Sequence, residues 1–177
     1  MIFTETPLAG AYLIDIDKKA DDRGFFARIF CSQEFSQLGI NPEAVQLNLC
    51  HTDIEGTVRG LHYQIPPALE TKLLRCVRGA IYDVIVDMRP NSPTYGQHYG
   101  IELSADNYRA LYVPAMFANG YQALTANAEI IYVVSQAYTP GCEQGLRYDD
   151  PYLKIDWPLP ISLVSEKDST WPDFPLT

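Results

Sequence analysis

The sequence predicts an all-β fold, most simply a jelly-roll barrel or sandwich with a few short helices. Three observations carry this. Apolar and polar residues alternate in short segments, turn residues cut the chain between them, and helix signals are few. In chain order, Ser32 to Leu38 is the best helix signal, and Gly39 ends it. Ala44 to Cys50 alternates Val45, Leu47 and Leu49 with Gln46, Asn48 and Cys50, a strand with one apolar and one polar face. Lys72 to Val77 and Ala80 to Met88, split at Arg78-Gly79, read as a hairpin closed by Arg89-Pro90-Asn91-Ser92-Pro93. His98 to Leu103 and Arg109 to Val113 repeat that form across Ala105-Asp106-Asn107. Glu129 to Tyr138, rich in Ile, Val and Tyr, reads as one long strand that puts Tyr132 and Tyr138 on one face.

Composition narrows the function classes. The 177 residues carry 13 basic and 22 acidic side chains, a net charge of −9, which argues against nucleic acid or an anionic membrane as partner. With 47% hydrophobic and 20% charged residues the chain is globular, and residues 1–177 read as a single domain. The start, Met-Ile-Phe-Thr-Glu-Thr-Pro, lacks the marks of a signal peptide, and the expectation is a soluble, cytoplasmic protein. Cys31, Cys50, Cys76 and Cys142 form no C-x-x-C pair and read as buried, reduced residues. Between Arg59 and Arg89 five basic residues meet three acidic ones, a basic island that would suit a small anionic ligand or would simply be solvated strand charge.

Several motifs follow one another in a telling order. They are Asp21-Asp22-Arg23-Gly24-Phe25-Phe26, Val45-Gln46-Leu47-Asn48, Val58-Arg59-Gly60-Leu61-His62-Tyr63-Gln64 and Thr71-Lys72-Leu73-Leu74-Arg75-Cys76-Val77-Arg78-Gly79. Tyr112-Val113-Pro114, Tyr148-Asp149-Asp150-Pro151, Ile155-Asp156-Trp157-Pro158 and Ser165-Glu166-Lys167-Asp168 extend the series. Together they resemble the dTDP-4-dehydrorhamnose 3,5-epimerase family of cupin-like jelly rolls, from about position 20 to 170. The resemblance implies an isomerase with no cofactor, acting on a nucleotide-linked 4-keto-6-deoxy sugar. Carbons 3 and 5 of such a sugar each bear a hydrogen α to the ketone. Epimerisation removes one, passes through an enolate, and returns a proton to the opposite face.

The same resemblance assigns roles. His62 would be the base, since an imidazole ordinarily titrates near ~6.5. Asp168 would steady it, although a distant Asp is also an ordinary loop cap. Lys72 would face the C4 oxygen, and Tyr132 would deliver the proton from the other side, though either could be a plain strand residue. Arg59 would meet the pyrophosphate, with Gln46 and Asn48 in the same pocket and Tyr138 as a weaker contact. Arg23 would reach in from the neighbouring subunit, which implies a homodimer; Asp21 to Gly24 reads equally as an exposed turn.

One position departs from the family pattern. Phe117-Ala118-Asn119-Gly120 stands where the family usually shows Phe-Ala-His-Gly. The family's histidine is expected near the sugar and phosphate, so the resemblance makes Asn119 a substrate-binding residue, one that hydrogen-bonds but carries no charge and moves no proton. This leaves open which carbon is inverted and which nucleotide is used. The readings are therefore a dTDP-linked 3,5-epimerase, a single-centre epimerase on another nucleotide-linked 4-keto sugar, or a sugar-nucleotide-binding jelly roll without chemistry. A metal-dependent cupin is disfavoured: the corresponding places hold His62, Gln64 and Asn119, one histidine where about three ligands are wanted.

Overall fold

The computed structural model describes residues 1–40 and 43–175. Its elements run β1 (Ile2–Glu5), β2 (Tyr12–Asp15), β3 (Lys19–Asp21), β4 (Gly24–Phe26), α1 (Ser32–Ser36), β5 (Gln46–Thr52), β6 (Val58–Gln64) and β7 (Lys72–Arg78). They continue with β8 (Ala80–Asp87), β9 (His98–Ser104), β10 (Ala110–Val113), β11 (Phe117–Ala123), β12 (Ala128–Val134), β13 (Glu143–Gly145) and α2 (Glu166–Ser169). A six-stranded sheet, β1-β2-β10-β7-β12-β5, faces a five-stranded sheet, β13-β6-β11-β8-β9, and β3-β4 forms a separate hairpin. The named strand pairs are all antiparallel. The expected all-β jelly-roll architecture is observed.

The two expected hairpins are not hairpins. β7 pairs with β10 and β12, whereas β8 pairs with β9 and β11 in the other sheet. Gly79 is the corner between them. Its φ is +67°, and a Cβ there would come within 2.1 Å of Thr125 Oγ1, so both backbone and space require glycine. β9 and β10 likewise belong to different sheets. Alternation and a turn signal are the same for a hairpin and for a corner, so the pattern alone does not separate them.

The core explains why the strands stay together. Leu74, Cys76, Ile81, Ile85, Leu103, Leu111, Phe117 and Ile130 fill the space between the sheets. On the far side of the five-stranded sheet, Leu61, Val84, Val86 and Met88 pack under Leu146, Leu153 and Phe174 of the C-terminal segment. That sheet is covered on both faces, and β8 accordingly reads as a nearly continuous buried run. Asp150 pins the covering segment by accepting hydrogen bonds from Tyr152 N, Leu153 N and Phe174 N at 2.6 to 2.9 Å. α1 is shorter than expected, and Gly39 lies beyond it at φ +71°. Its Phe35 is wholly buried against Phe3, Phe30 and Tyr112, a burial worth ~1.5–3 kcal/mol.

β5 turns out differently from its pattern. Its polar face, Gln46, Asn48 and Cys50, lines the interior, while Val45, Leu47 and Leu49 are 55%, 66% and 66% exposed. The strand starts two residues later than the sequence suggests and extends to Thr52. β12 stops at Val134, so Tyr138 lies beyond it and shares no strand face with Tyr132. Among the described residues no helix is long and apolar enough to cross a membrane.

Candidate active site

Toward one end of the sandwich the apolar filling gives way to a cavity of about 560 Å³. That volume falls within the range of small-molecule sites. The inner face of the five-stranded sheet contributes His62, Asn119 and Tyr121, and the six-stranded sheet contributes Gln46, Asn48, Lys72 and Tyr132. Ser165, Lys167 and Asp168 at the C-terminal helix line its edge.

His62 and Asp168, 106 positions apart, meet at 2.6 Å between Nε2 and Oδ1. A carboxylate accepts, so Nε2 donates and the ring's lone pair lies on Nδ1. Asp168 is 5% exposed. Its Oδ2 accepts from Gly60 N at 3.1 Å, and its own N donates to the Ser165 side chain that caps α2. Burial alone would push the Asp168 carboxyl up; donation and charge from His62, helped by Gly60 N and Ser165, hold it below its ordinary value. Gly60 also lets β6 run close against β11. At φ +108°, a Cβ there would lie 2.6 Å from Gly120 Cα on the adjacent strand.

Lys72 Nζ donates to His62 O at 3.0 Å and pairs with Glu70 Oε1 at 3.2 Å. An ammonium has three donors, so one remains for the cavity that Lys72 lines. Glu70 is held in turn by Gln64 Nε2 at 3.2 Å. Tyr132 stands on the sheet opposite His62. Burial first, then the nearby Cys50 and Glu70, raise its pKa, so the phenol keeps its proton at neutral pH.

Arg59 donates from Nε to Thr52 Oγ1 at 3.1 Å and from Nη2 to His51 O at 3.0 Å. Among the described residues it forms no carboxylate pair, unlike Lys72 with Glu70 and Lys167 with Glu143. Toward the start of β5, Gln46 Nε2 donates to Asn48 Oδ1 at 2.6 Å. Tyr138 reaches the cavity from the loop after β12, its hydroxyl donating to Glu143 at 3.2 Å.

The structure does not bring Arg23 into this chain's cavity. It sits at the tip of the β3-β4 hairpin, paired with Asp21, its side chain 90% exposed. The basic island also does not converge. Arg75 points to the opposite face of its sheet from Lys72 because side chains alternate, Arg78 pairs with Glu129 outside, and Arg89 is tied to Asp87. Glu70, Glu143, Lys167 and Tyr121 line the cavity without having been singled out from sequence. Only Glu70, two residues from Lys72 on alternating backbone, left a readable signal. Among the described residues, no three His, Cys, Asp or Glu side chains gather as a metal-binding group.

Behind Asn119 lies Asp83, fully buried, with Asn119 Nδ2 at 3.1 and 3.0 Å from its two oxygens. Desolvation pushes this carboxyl up to about 8, against the opposing pull of Asn119 and the Lys72 charge. Between the ordinary carboxyl range and about pH 8 the folded chain therefore keeps a proton that the unfolded chain has released. The contribution of Asp83 to stability therefore falls as pH rises through that window. Urea unfolding between pH 5 and 9 is expected to show this decline, and Asp83→Asn, which has no such proton to lose, is expected to flatten it.

Comparison with known proteins bears on this geometry. The family model described as dTDP-4-dehydrorhamnose 3,5-epimerase matches residues 5–175. The chain belongs to the dTDP-4-dehydrorhamnose 3,5-epimerase family. Within it, an enzyme of that name from Sinorhizobium fredii is 42% identical over 173 residues, 97% of this chain and 89% of the relative. The crystal structure of the Elizabethkingia anophelis 3,5-epimerase superposes with a TM-score of 0.95 at 37% identity, covering 98% and 96% of the two chains. That of the Bacillus anthracis 3,5-epimerase, with TDP and pyrophosphate bound, gives 0.93 at 39%, covering 98% and 99%.

Proposed function

We propose that this chain, as one domain, is a cofactor-independent epimerase of a dTDP-linked 4-keto-6-deoxy sugar. One observation carries the reading: the His62–Asp168 pair and Tyr132 stand on opposing walls of one cavity that also holds the Lys72 ammonium. His62 Nδ1 takes the hydrogen α to the ketone, and the electron pair left on carbon moves into the C4 oxygen beside Lys72. The Tyr132 phenol then gives its proton to the opposite face, and solvent restores both groups. No electrons are gained or lost, so the balance needs no redox partner. Arg59, free of any carboxylate among the described residues, suits the diphosphate, with Gln46, Asn48 and Tyr138 around the nucleotide sugar. A reducing, cytoplasmic setting fits the four unpaired thiols.

The reading includes a homodimer. Val45, Leu47 and Leu49 form an exposed apolar strip continued by Ile29 and Phe30. Within it Arg75 is 9% exposed, with both terminal nitrogens buried and without acceptors among the described residues. A second copy would cover the strip and bring the partner's Arg23 to the diphosphate. Leu47→Asp is expected to sediment as a monomer. Arg23→Ala is expected to stay dimeric while binding TDP ~10–100-fold more weakly, the worth of a charged hydrogen bond.

Asn119 favours a second reading, inversion at one carbon only, because it moves no proton beside His62. Incubation with dTDP-4-keto-6-deoxyglucose in deuterated water decides between them by NMR. Label at carbons 3 and 5 supports the full epimerase, label at one carbon the restricted one, and no enzyme-dependent label refutes both.

A further inference from the structure

Two groups remain outside that mechanism, Asn119 and the buried Asp83 behind it. The strand register places Asn119 directly opposite His62 on the neighbouring strand, so both side chains leave the same face of the sheet and enter the same cavity. Three oxygens lie behind the amide. Asp83 Oδ1 and Oδ2 are 3.1 and 3.0 Å from Nδ2, and Val84 O is 3.2 Å away. A backbone carbonyl only accepts, so the amide nitrogen must be the atom facing it, whatever the charge on Asp83. Both amide hydrogens are thereby engaged. Oδ1 has no partner among the described residues, and it is the one polar atom that Asn119 has left for the cavity.

We infer that Asn119 Oδ1 is a specificity group that accepts a hydrogen bond from a ring hydroxyl of the bound sugar, and that Asp83 is the positioning residue that holds the amide in this orientation. The inference rests on the sugar-nucleotide reading above. In a 4-keto-6-deoxy hexose linked at carbon 1, only the hydroxyls on carbons 2 and 3 can donate. The site therefore selects sugars that keep the relevant hydroxyl. A fixed acceptor left unpaired in a desolvated cavity penalises the analogue that lacks it. Because an amide neither titrates nor acts as a base in the physiological range, Asn119 orients the ring beside His62 without competing for its hydrogens.

Calorimetric titration tests this with TDP alone, with dTDP-6-deoxyglucose, which binds but has no ketone, and with the 2-deoxy and 3-deoxy forms of that sugar. Wild-type protein is expected to lose ~10-fold in affinity for one of the two deoxy forms, the scale of a single unmade hydrogen bond. Asn119→Leu is expected to bind dTDP-6-deoxyglucose ~10-fold more weakly, to bind TDP as wild type does, and to lose the discrimination between parent and deoxy sugar. Asn119→Ala, which likewise offers the cavity no side-chain acceptor, repeats the test should the leucine variant fail to fold. Asp83→Asn keeps an acceptor for the Asn119 amide and is expected to retain discrimination, whereas Asp83→Leu is expected to lose it. Equal weakening of TDP and the sugar nucleotide by Asn119→Leu, or discrimination that survives it, overturns the inference while leaving the epimerase reading intact. Failure of wild-type protein to bind either ligand overturns that reading, and the inference with it.

Discussion

Replacing His62 by Asn is expected to slow deuterium uptake from solvent at the sugar ring by ~10²–10⁴-fold, the worth of a positioned general base. The reason lies in what Asn retains. Its amide can still donate to Asp168, so the fold around α2 keeps its anchor, but it offers no basic lone pair to the cavity. Loss of activity with an unchanged melting temperature separates chemistry from folding. Asp168→Asn is expected to share most of the loss by a different route. Asp168 fixes Nε2 as the protonated nitrogen, and Gly60 N and Ser165 fix Asp168. An amide at position 168 could present its nitrogen to the ring and draw the imidazole into the wrong tautomer. Near-normal exchange in His62→Asn removes His62 from its role.

Tyr132→Phe is expected to separate two events that wild type couples. Deprotonation by His62 does not need the phenol, so hydrogen exchange at the ring should continue. Inversion needs a proton on the far face, so formation of the epimer should fall by ~10²–10⁴-fold. The signature is substrate that acquires deuterium while keeping its configuration. Epimer formation at the wild-type rate would assign the second proton to another group or to water. A parallel fall in exchange and inversion would mean that Tyr132 positions substrate instead of donating to it.

How much of this was legible in the sequence follows from the physics of each feature. Strand alternation was readable because a pleated strand repeats every two residues, and residues within one motif, such as Arg59 and His62, stay together in space. Where strands went was harder. Gly79 reads as a turn whether the chain folds back on itself or crosses to the facing sheet, and only Thr125 and the pairing partners of β7 and β8 decide it. The inverted face of β5 had a related cause: Leu47 and Leu49 look like core until a polar cavity claims Gln46 and Asn48. The approach of Asp168 to His62 depends on a C-terminal segment fastened by Asp150, and no local pattern encodes that path. Glu143 and Lys167 pair with each other across 24 positions, a contact that the motif around Lys167 does not encode.

The most direct test is a crystal structure with dTDP-rhamnose bound. The two faces of the sugar ring are expected to be divided between His62 Nδ1 and Tyr132 Oη, each within ~3.5 Å of carbon 3 or carbon 5, as a near-attack geometry requires. A sugar seated with both groups on one face, or with the imidazole turned from the ring, would contradict the account.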